Sequence, residues 1–286
     1  MKPAVSDASD TDGVSHALRS VHERPTFRNY LTLMRERRGF TWFSAIQQLR
    51  SENVRAAFGS FWFLLTPLLN IIVYWLVFGK LLNVNRGVEN YITFLTIGIL
   101  TFDLLARPLP GASQLLDRNL SLIRSVYFPR AVLPVAYSIE HFIRFVPSIL
   151  VMIFFVLSGG ESVRWSWLLV VPAVLIAYTF MLGMSLIFAR IGKVAVDVGL
   201  ALPHFIRLLL YGSGVLYLPS SFTLDKRVLA FFDANPFFEI ISLVRGAFIE
   251  AQPASGGLWI AATAWAVATL AVGLVFFWHG EASYGE

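Results

Sequence analysis

The sequence predicts an all-α integral membrane protein, and three of its properties support this prediction. Of the 286 residues, 56% are hydrophobic and only 14% are charged, whereas a soluble domain carries roughly 25% charged residues. The mean hydropathy is +0.65. Apolar stretches close to the ~20 residues that a helix needs to cross the hydrocarbon core recur along the chain. Together these properties place most of the chain in lipid rather than in water.

Six such stretches predict six transmembrane helices. Three are free of charge over 61–78, 167–189 and 256–278, and the first of these extends to about 82. The other three contain charged residues or proline and cover 91–116, 131–157 and 198–218. Gly212 and Gly214 lie in the fifth stretch and are expected to loosen a helix that must bend. We therefore assign a six-span transmembrane domain to 59–286.

The basic residues predict how the spans are oriented. The formal net charge is +5 with a pI near 9.6, but the Lys and Arg residues of membrane proteins gather on the cytoplasmic side. With the N-terminus inside, 14 of them fall in the cytoplasm and 5 outside. We expect both termini in the cytoplasm and no nucleic-acid partner. The start of the chain lacks the apolar core of a cleavable signal peptide, so 1–40 is predicted to be a partly disordered cytoplasmic tail.

Two segments outside the spans are predicted to lie at the membrane. In 41–58, Trp42, Ile46 and Leu49 recur at helical spacing opposite polar residues, a pattern typical of an amphipathic helix in the inner interface. A helix packed on a partner protein is the alternative. The external segment 219–252 is rich in Phe, Ile and Leu, which is too apolar for a free loop. We expect it to fold back as short re-entrant helices whose backbone is covered by protein or water.

The sequence has none of the motifs of a self-contained enzyme. It has no cysteine, which excludes disulfides, thiol catalysis and Cys-ligated metal sites. Its Gly-Lys pairs, Gly79-Lys80 and Gly192-Lys193, lack the preceding glycine and the following Ser or Thr of a phosphate-binding loop. We therefore predict no catalytic residues, no metal site and no cofactor in this chain.

Charged residues inside the predicted spans are costly and need partners. Asp103 and Arg107 are four residues apart, as are Glu140 and Arg144, and in both pairs the acid comes first. This is the favourable order for an ion pair within a helix. The pairs are expected either to tether helices near the interface or to act directly at a gate. A proton relay is disfavoured because each acid has its own basic partner.

Four landmarks resemble one protein family when they are taken in order. Residues 55–82 (RAAFGSFWFLLTPLLNIIVYWLVFGKLL) contain an Arg-bearing helix, a Gly-aromatic-Trp step, a proline, and an aromatic-rich span ending in Phe-Gly. The others are 119–129 with its Phe128-Pro129 pair, Asn235-Pro236-Phe237 followed by Arg245, and the closing Tyr284-Gly285. This order resembles the ABC-2 type permeases that export O-antigen, capsule, teichoic acid, cell-wall galactan and related glycans.

The resemblance implies a permease in the bacterial cytoplasmic membrane that moves a lipid-linked polysaccharide. It also implies a homodimer in a 2 + 2 complex with a separate ATPase subunit, which carries the ATP and Mg. The segment 119–129 resembles the family's cytoplasmic coupling helix, and its expected ATPase contacts are Leu120, Leu122, Arg124 and Phe128. Roles in gating or structure are expected, beside the charged pairs, for Asn235, Pro236 and Arg245.

Aromatic residues make up 15% of the chain, and flat rings suit a glycan path. The C–H faces of sugars lie well against aromatic rings, and Tyr and Trp add a polar group. The alternative for aromatic residues is a belt at the membrane interface, and for Tyr74 and Trp75 in mid-span it is helix packing. The candidates for the path are Phe61, Trp62, Tyr74, Trp75, Tyr211 and Tyr217.

Two rival functions are left open by the residues. One is an ABC-2 exporter of drugs or small lipids. The other is a membrane-embedded glycosyltransferase or synthase component, which would need carboxylate clusters on a cytoplasmic loop to hold a metal and a nucleotide sugar. No such cluster is visible in the sequence.

Overall fold

The computed structural model of the chain is built of helices. It describes residues 26–53, 62–84, 87–126, 128–222 and 225–285, and at 50–53, 62–64 and 285 it describes the backbone alone. These ranges contain helices and turns and no β-strand. The predicted all-α class is therefore confirmed.

The helices follow one another in this order. α1 (Phe27–Glu36) and α2 (Arg38–Asn53) precede α3 (Trp62–Tyr74), which continues as a π-helix (Trp75–Leu81). α4 (Tyr91–Ala106) is followed by three short helices, α5 (Leu109–Ser113), α6 (Leu115–Arg118) and α7 (Leu120–Ser125). The long helices α8 (Val132–Ser158) and α9 (Val170–Val194) come next, with a 3₁₀ turn (Trp165–Leu169) between them. The chain then forms α10 (Asp197–Gly212), α11 (Lys226–Asp233), α12 (Pro236–Phe248) and α13 (Gly256–His279), with 3₁₀ turns at Pro219–Ser221 and Glu281–Gly285.

Four helical stretches among the described residues are long and apolar enough to cross a membrane. They are Tyr91–Ser113, Val132–Ser158, Trp165–Val194 and Gly256–His279, which match the second, third, fourth and sixth predicted spans. The apolar helix at Leu65–Leu81, in the first predicted span, is shorter. In the fifth, α10 has 16 residues and is about 24 Å long at 1.5 Å per residue. That is less than the ~30 Å of a hydrocarbon core.

The core forms around α4, whose side chains are nearly all buried against α8, α9 and α12. α9 and α13 pack along each other, and their backbones meet at two glycines. A Cβ atom on Gly273 would lie 2.5 Å from the carbonyl oxygen of Gly183. Small residues of this kind allow two apolar helices to approach closely.

The apolar segment 219–252 is partly in the core. α12 lies against α4, α9 and α13, and Ile240, Ile241, Leu243 and Val244 are fully buried. α11 leads into it, and its Phe232 is also buried. The apolar residues of this segment therefore serve the interior of the described chain.

Ordered helix begins earlier at the N-terminus than the sequence indicated. α1 lies within the segment 1–40, which was predicted as a tail, and its Tyr30 is buried. α2 covers most of the predicted helix 41–58, while 54–58 lie outside the described residues. Thr41 and Ala45 face the protein, where α2 packs on α8, and Trp42 is exposed. A position of α2 in the membrane interface stays a prediction.

Candidate functional site

The backbone that follows α10 is a polar feature of the protein interior. After Gly212 the helix stops, Gly214 takes a positive φ of 58°, and residues 213–216 run through the buried interior. The carbonyl groups at a helix end have no partner within the helix. Leaving them unpaired in an apolar surrounding costs several kcal/mol each, so they need donors from elsewhere in the chain.

Three side chains supply these donors: Tyr91 of α4, Arg245 of α12 and Asn235, the residue before α12. The hydrogen bonds run from Tyr91 Oη to Leu216 O (2.7 Å), from Asn235 Nδ2 to Gly212 O (3.1 Å), from Arg245 Nη1 to Gly214 O (2.9 Å) and from Arg245 Nη2 to Val215 O (2.7 Å). We call these three side chains and residues 212–216 the helix-break cluster.

Arg245 is the centre of the helix-break cluster. Its side chain is 2% exposed, its Nε donates to the carbonyl of Phe94 at 3.3 Å, and its guanidinium carbon lies 3.4 Å from the Phe94 ring centre. No ion pair involves Arg245 within the described part of the chain. Gly98 makes room for it, since a Cβ atom there would lie 2.3 Å from Nη2. The cation is thus held by backbone carbonyls and an aromatic face.

Asn235 and Pro236 place the start of α12 at the same break. Asn235 Oδ1 caps the helix by accepting from the backbone N–H of Phe237 at 3.0 Å, while its Nδ2 reaches Gly212. Pro236 is the first residue of α12, a position where a missing N–H costs nothing and the fixed φ favours the helix. Asn235 and Arg245, ten residues apart, therefore both attach α12 to the end of α10.

Both charged pairs predicted in the spans are present. Arg107 Nη2 lies 3.0 Å from Asp103 Oδ2, and Arg144 forms an ion pair with Glu140. The structure brings the two pairs together, because Asp103, Arg107 and Arg144 line one cavity of about 140 Å³ between α3, α4 and α8. Their role in gating stays a prediction.

The predicted aromatic path is partly assembled. Phe78 bridges Tyr74 and Tyr211, with ring-centre distances of 6.1 Å and 6.4 Å, and Tyr217 Oη donates to the carbonyl of Tyr211 at 2.9 Å. Trp75 lies beside Lys80, whose Nζ is 5.4 Å from its ring centre. Phe61 and the side chain of Trp62 lie outside the described residues. Contact with a glycan stays a prediction for all six.

The predicted coupling residues divide between two sides of α7. Leu120 and Leu122 are half-buried and Arg124 is exposed. Phe128, an expected ATPase contact, is buried, because it packs on the Phe40 ring of α2 at 5.6 Å and on apolar residues of the interior. Phe128 therefore anchors the segment to the chain itself, which leaves Leu120, Leu122 and Arg124 on the accessible side.

A second polar cluster joins α1, the residues before α8 and the C-terminal 3₁₀ turn. Glu281 accepts hydrogen bonds from Tyr30 Oη at 2.7 Å and from the backbone N–H of Arg130 at 2.8 Å. Ala131 N–H donates to Tyr30 Oη at 3.0 Å, and the Arg130 guanidinium donates to the carbonyl of Glu281. We call Tyr30, Arg130, Ala131 and Glu281 the terminal cluster.

Apolar residues surround the terminal cluster, among them Ile123, Phe128 and Phe277. Burial raises the pKa of Glu281, although the hydrogen bonds from Arg130 and Tyr30 act in the opposite direction. Burial also raises the pKa of Tyr30 well above its ordinary value. The terminal cluster therefore joins α1 and the residues before α8 to the C-terminal 3₁₀ turn.

Asn235 and Arg245 were predicted from the sequence, whereas Tyr91 and Gly98 were not. A lone glycine among the large residues of α4 was the available signal for Gly98, since such a glycine in a helix usually has a packing reason. The terminal cluster gave no signal, because Tyr30, Arg130 and Glu281 are ordinary polar residues outside the predicted spans and are far apart in sequence.

Comparison with known proteins gives a consistent result. No family model matches the chain. The O-antigen export system permease protein RfbA of Myxococcus xanthus is 26% identical to it over 209 residues, 72% of this chain and 79% of the relative. Proteins of the same name from Klebsiella pneumoniae are 27% identical over 172 residues (60% and 66%) and 24% identical over 205 residues (71% and 78%). The motif resemblance is thus confirmed over most of the chain.

Proposed function

We propose that this chain, a relative of the ABC-2 type permeases of polysaccharide export, is the membrane subunit of an ATP-driven exporter of a lipid-linked polysaccharide. The observation that carries the proposal is its similarity to O-antigen export permeases over 72% of its length. The four apolar helices of membrane-crossing length support it. The same similarity favours a glycan cargo over drugs, and a permease over a synthase.

We extend the proposal to the six-span plan in the bacterial cytoplasmic membrane. In this plan α3 with its π-helix is the first span and α10 with the helix break is the fifth, while α11 and α12 return into the protein as re-entrant helices. Both termini and α7 then face the cytoplasm. The helix-break cluster supports the fifth span in particular, because it supplies hydrogen-bond donors to the carbonyls that an interrupted span exposes. Irregular backbone at membrane depth requires such partners.

The energy for export must come from a partner, since the sequence has no phosphate-binding loop. We propose a 2 + 2 complex of two permeases and two ATPase subunits that hold ATP and Mg. The ATPase docks on the accessible side of α7, where Val126 is 52% exposed and Arg124 is also exposed. Val126 directly follows α7, and with the half-buried Leu120 and Leu122 it supplies apolar surface beside the charge of Arg124, a combination that suits a protein contact.

Export is tested in a host strain that lacks its own copy of the gene. Surface polysaccharide should be lost and lipid-linked polymer should accumulate inside, and expression of the chain should restore export. Replacing Tyr74 and Trp75 by Leu should lower export, because it removes the flat faces that a moving sugar chain uses. The matched control is Ile72→Leu on the same helix, which should export normally. Normal surface polysaccharide in the gene-deficient strain would refute the function.

Docking is tested by co-purification of the ATPase with the permease. Because Leu122 also packs against the apolar residues around the terminal cluster, the cleaner change is the double variant Arg124→Glu/Val126→Asp. We expect the co-purified ATPase to fall at least about tenfold, which corresponds to about 1.4 kcal/mol. Arg227→Glu on α11 also replaces an arginine by an acid, but on the external side of the proposed membrane plan. This variant should retain the ATPase. If both variants co-purify equal amounts of ATPase, the docking site does not lie at α7.

A further inference from the structure

The exposed side of α10 carries two basic residues. His204 and Arg207 are both exposed, and Tyr211, which is 43% exposed, follows one turn later. The three positions share one face of the helix, because they are three and four residues apart. Within the described residues, neither His204 nor Arg207 forms an ion pair. We call His204, Arg207 and Tyr211 the α10 stripe.

Arg207 lies about half-way along the proposed fifth span. α10 begins at Asp197, and a rise of 1.5 Å per residue places Arg207 about 15 Å further on. This distance is half of a ~30 Å hydrocarbon core. The neighbours of Arg207 agree with this depth. The charges of Arg207 and Asp103 both act on the Tyr74 hydroxyl, and Asp103 lies in the middle of the apolar stretch Tyr91–Ser113.

A second copy of the chain supplies no acid for Arg207. The two copies of the proposed homodimer cross the membrane in the same orientation, so each residue keeps its depth. Among the described residues, the acids of the proposed spans are Asp103, Glu140 and Asp197. Asp103 and Glu140 each have an arginine partner one turn away, Asp197 lies at the start of α10, and Glu239 of α12 is buried.

The partner of Arg207 is therefore water or an anionic ligand. A charged side chain at the centre of a membrane is too costly to face lipid, and such residues mark water-filled substrate paths. A path with low-dielectric walls and one sign of charge concentrates ligands of the opposite sign. The guanidinium group also matches carboxylate and phosphate oxygens in a two-point geometry.

Aromatic rings continue the α10 stripe towards α3. Phe78 lies between Tyr74 and Tyr211, at ring-centre distances of 6.1 Å and 6.4 Å, and Arg207 is one turn from Tyr211. These rings include residues that the sequence predicted as a glycan path. Flat rings suit the C–H faces of sugars, and a cation beside them adds a partner for acidic substituents.

We propose that Arg207 lines the water-filled path and pairs with acidic groups of the passing glycan, so that the exported polysaccharide is an acidic one. This inference rests on the proposed function and specifies the class of its cargo. Arg207 makes the charged contact, and His204 lies one turn closer to the cytoplasm. A dry contact between two copies of the chain is the alternative, and it predicts no water at Arg207.

The first test asks whether water reaches Arg207. The chain has no cysteine, so one introduced thiol is the single target for sulfonatoethyl methanethiosulfonate (MTSES), an anionic reagent that needs a thiolate and hence water. Arg207→Cys should be modified in membranes of cells that express the full chain. Val267→Cys, at a position 57% exposed midway along α13, should face lipid and stay unmodified. Equal modification of both variants, or of neither, would overturn the proposal.

The second test measures the charge of the path. With His204→Cys as the single thiol, MTSES should react faster than the cationic trimethylammonioethyl reagent, because Arg207 attracts one and repels the other. Adding Arg207→Gln should lower the ratio of the two rates about fivefold, whereas adding Arg207→Lys should preserve it. A ratio that is the same with Gln as with Arg at this position would contradict a role for Arg207 in the path.

The third test examines the cargo. The polymer that accumulates in the gene-deficient strain should bind an anion-exchange column and contain uronic acid or phosphate. Arg207→Gln should lower its export at least about tenfold, Arg207→Lys should retain most of it, and Arg227→Gln, at an exposed arginine on the external α11, should export normally.

Two outcomes of the third test would overturn the inference. One is a neutral polymer, which would leave the proposed function standing. The other is a purified Arg207→Gln variant that melts lower than the wild type or loses its second copy, because Arg207 would then serve the contact between copies. Absence of any accumulated polymer would instead count against the proposed function. The two thiol-labelling tests use neither the ATPase nor export, so their failure concerns Arg207 alone.

Discussion

The two buried polar clusters of this chain place opposite charges in opposite surroundings. In the helix-break cluster a cation is surrounded by acceptors, because Arg245 donates to the carbonyls of Phe94, Gly214 and Val215. In the terminal cluster a carboxylate is surrounded by donors, because Glu281 accepts from Tyr30 and from the backbone of Arg130. Each charge replaces lost water with polar groups that the fold holds in place.

The difference between the clusters lies in what each charge holds together. Arg245 stabilises irregular backbone within the apolar interior. A carbonyl that loses its donor there cannot form a hydrogen bond with water instead. Glu281 connects segments that are 151 and 251 residues away in sequence, at the end of the bundle. We therefore expect damage at Arg245 to be costlier than damage at Glu281.

The largest effect is expected for Arg245→Met. The change keeps apolar volume but strands the carbonyls of Gly214 and Val215, and an unsatisfied buried polar group costs about 1–3 kcal/mol. We expect a loss of about 3 kcal/mol, which corresponds to a fall in melting temperature of roughly 5–10 °C in detergent. Arg245→Lys should recover little of this loss, because a single ammonium cannot reproduce the planar array of donors.

Gly98 provides the control for this interpretation. Gly98→Ala places a Cβ atom where the Arg245 guanidinium lies, so it should destabilise the wild type. In the Arg245→Met background the same change should cost less, because the flexible Met side chain can move aside. A double-mutant cycle in melting temperature measures this coupling. Equal costs in both backgrounds would show that Gly98 does not make room for the guanidinium.

The two clusters also show how far sequence reasoning reaches. Gly212 and Gly214 indicated a bend in the fifth span, and the family resemblance pointed to Asn235 and Arg245, so most parts of the helix-break cluster, though not Tyr91, were visible in the sequence. That they meet was not visible, because the contacts bring together three separate parts of the chain. The pairs at Asp103 and Glu140 were predictable because their partners lie one helical turn away.

The fold was predictable to the same degree and for the same reason. Four spans followed from apolar length, although two of them contain a charged pair. The fifth did not reach full helical length, because α10 ends at Gly212. α1 was hidden by its charged residues, since only packing shows that Tyr30 is buried. Local sequence patterns thus predicted individual helices, while contacts between distant segments could be seen only in the structure.

The smallest effect, and the one that separates the clusters most directly, is the pH dependence of Glu281. Burial raises its pKa in the folded chain above the ordinary value of 4.5. The contribution of Glu281 to stability is therefore fully present below pH 4.5 and is lost as the pH rises through the raised pKa. The melting temperature of the wild type should fall over this range, and Glu281→Gln should remove that slope. Tyr30→Phe removes a hydrogen bond that lowers the pKa of Glu281, so the slope should move to higher pH. Parallel melting profiles of the wild type and Glu281→Gln would show that this carboxylate does not titrate in the folded chain.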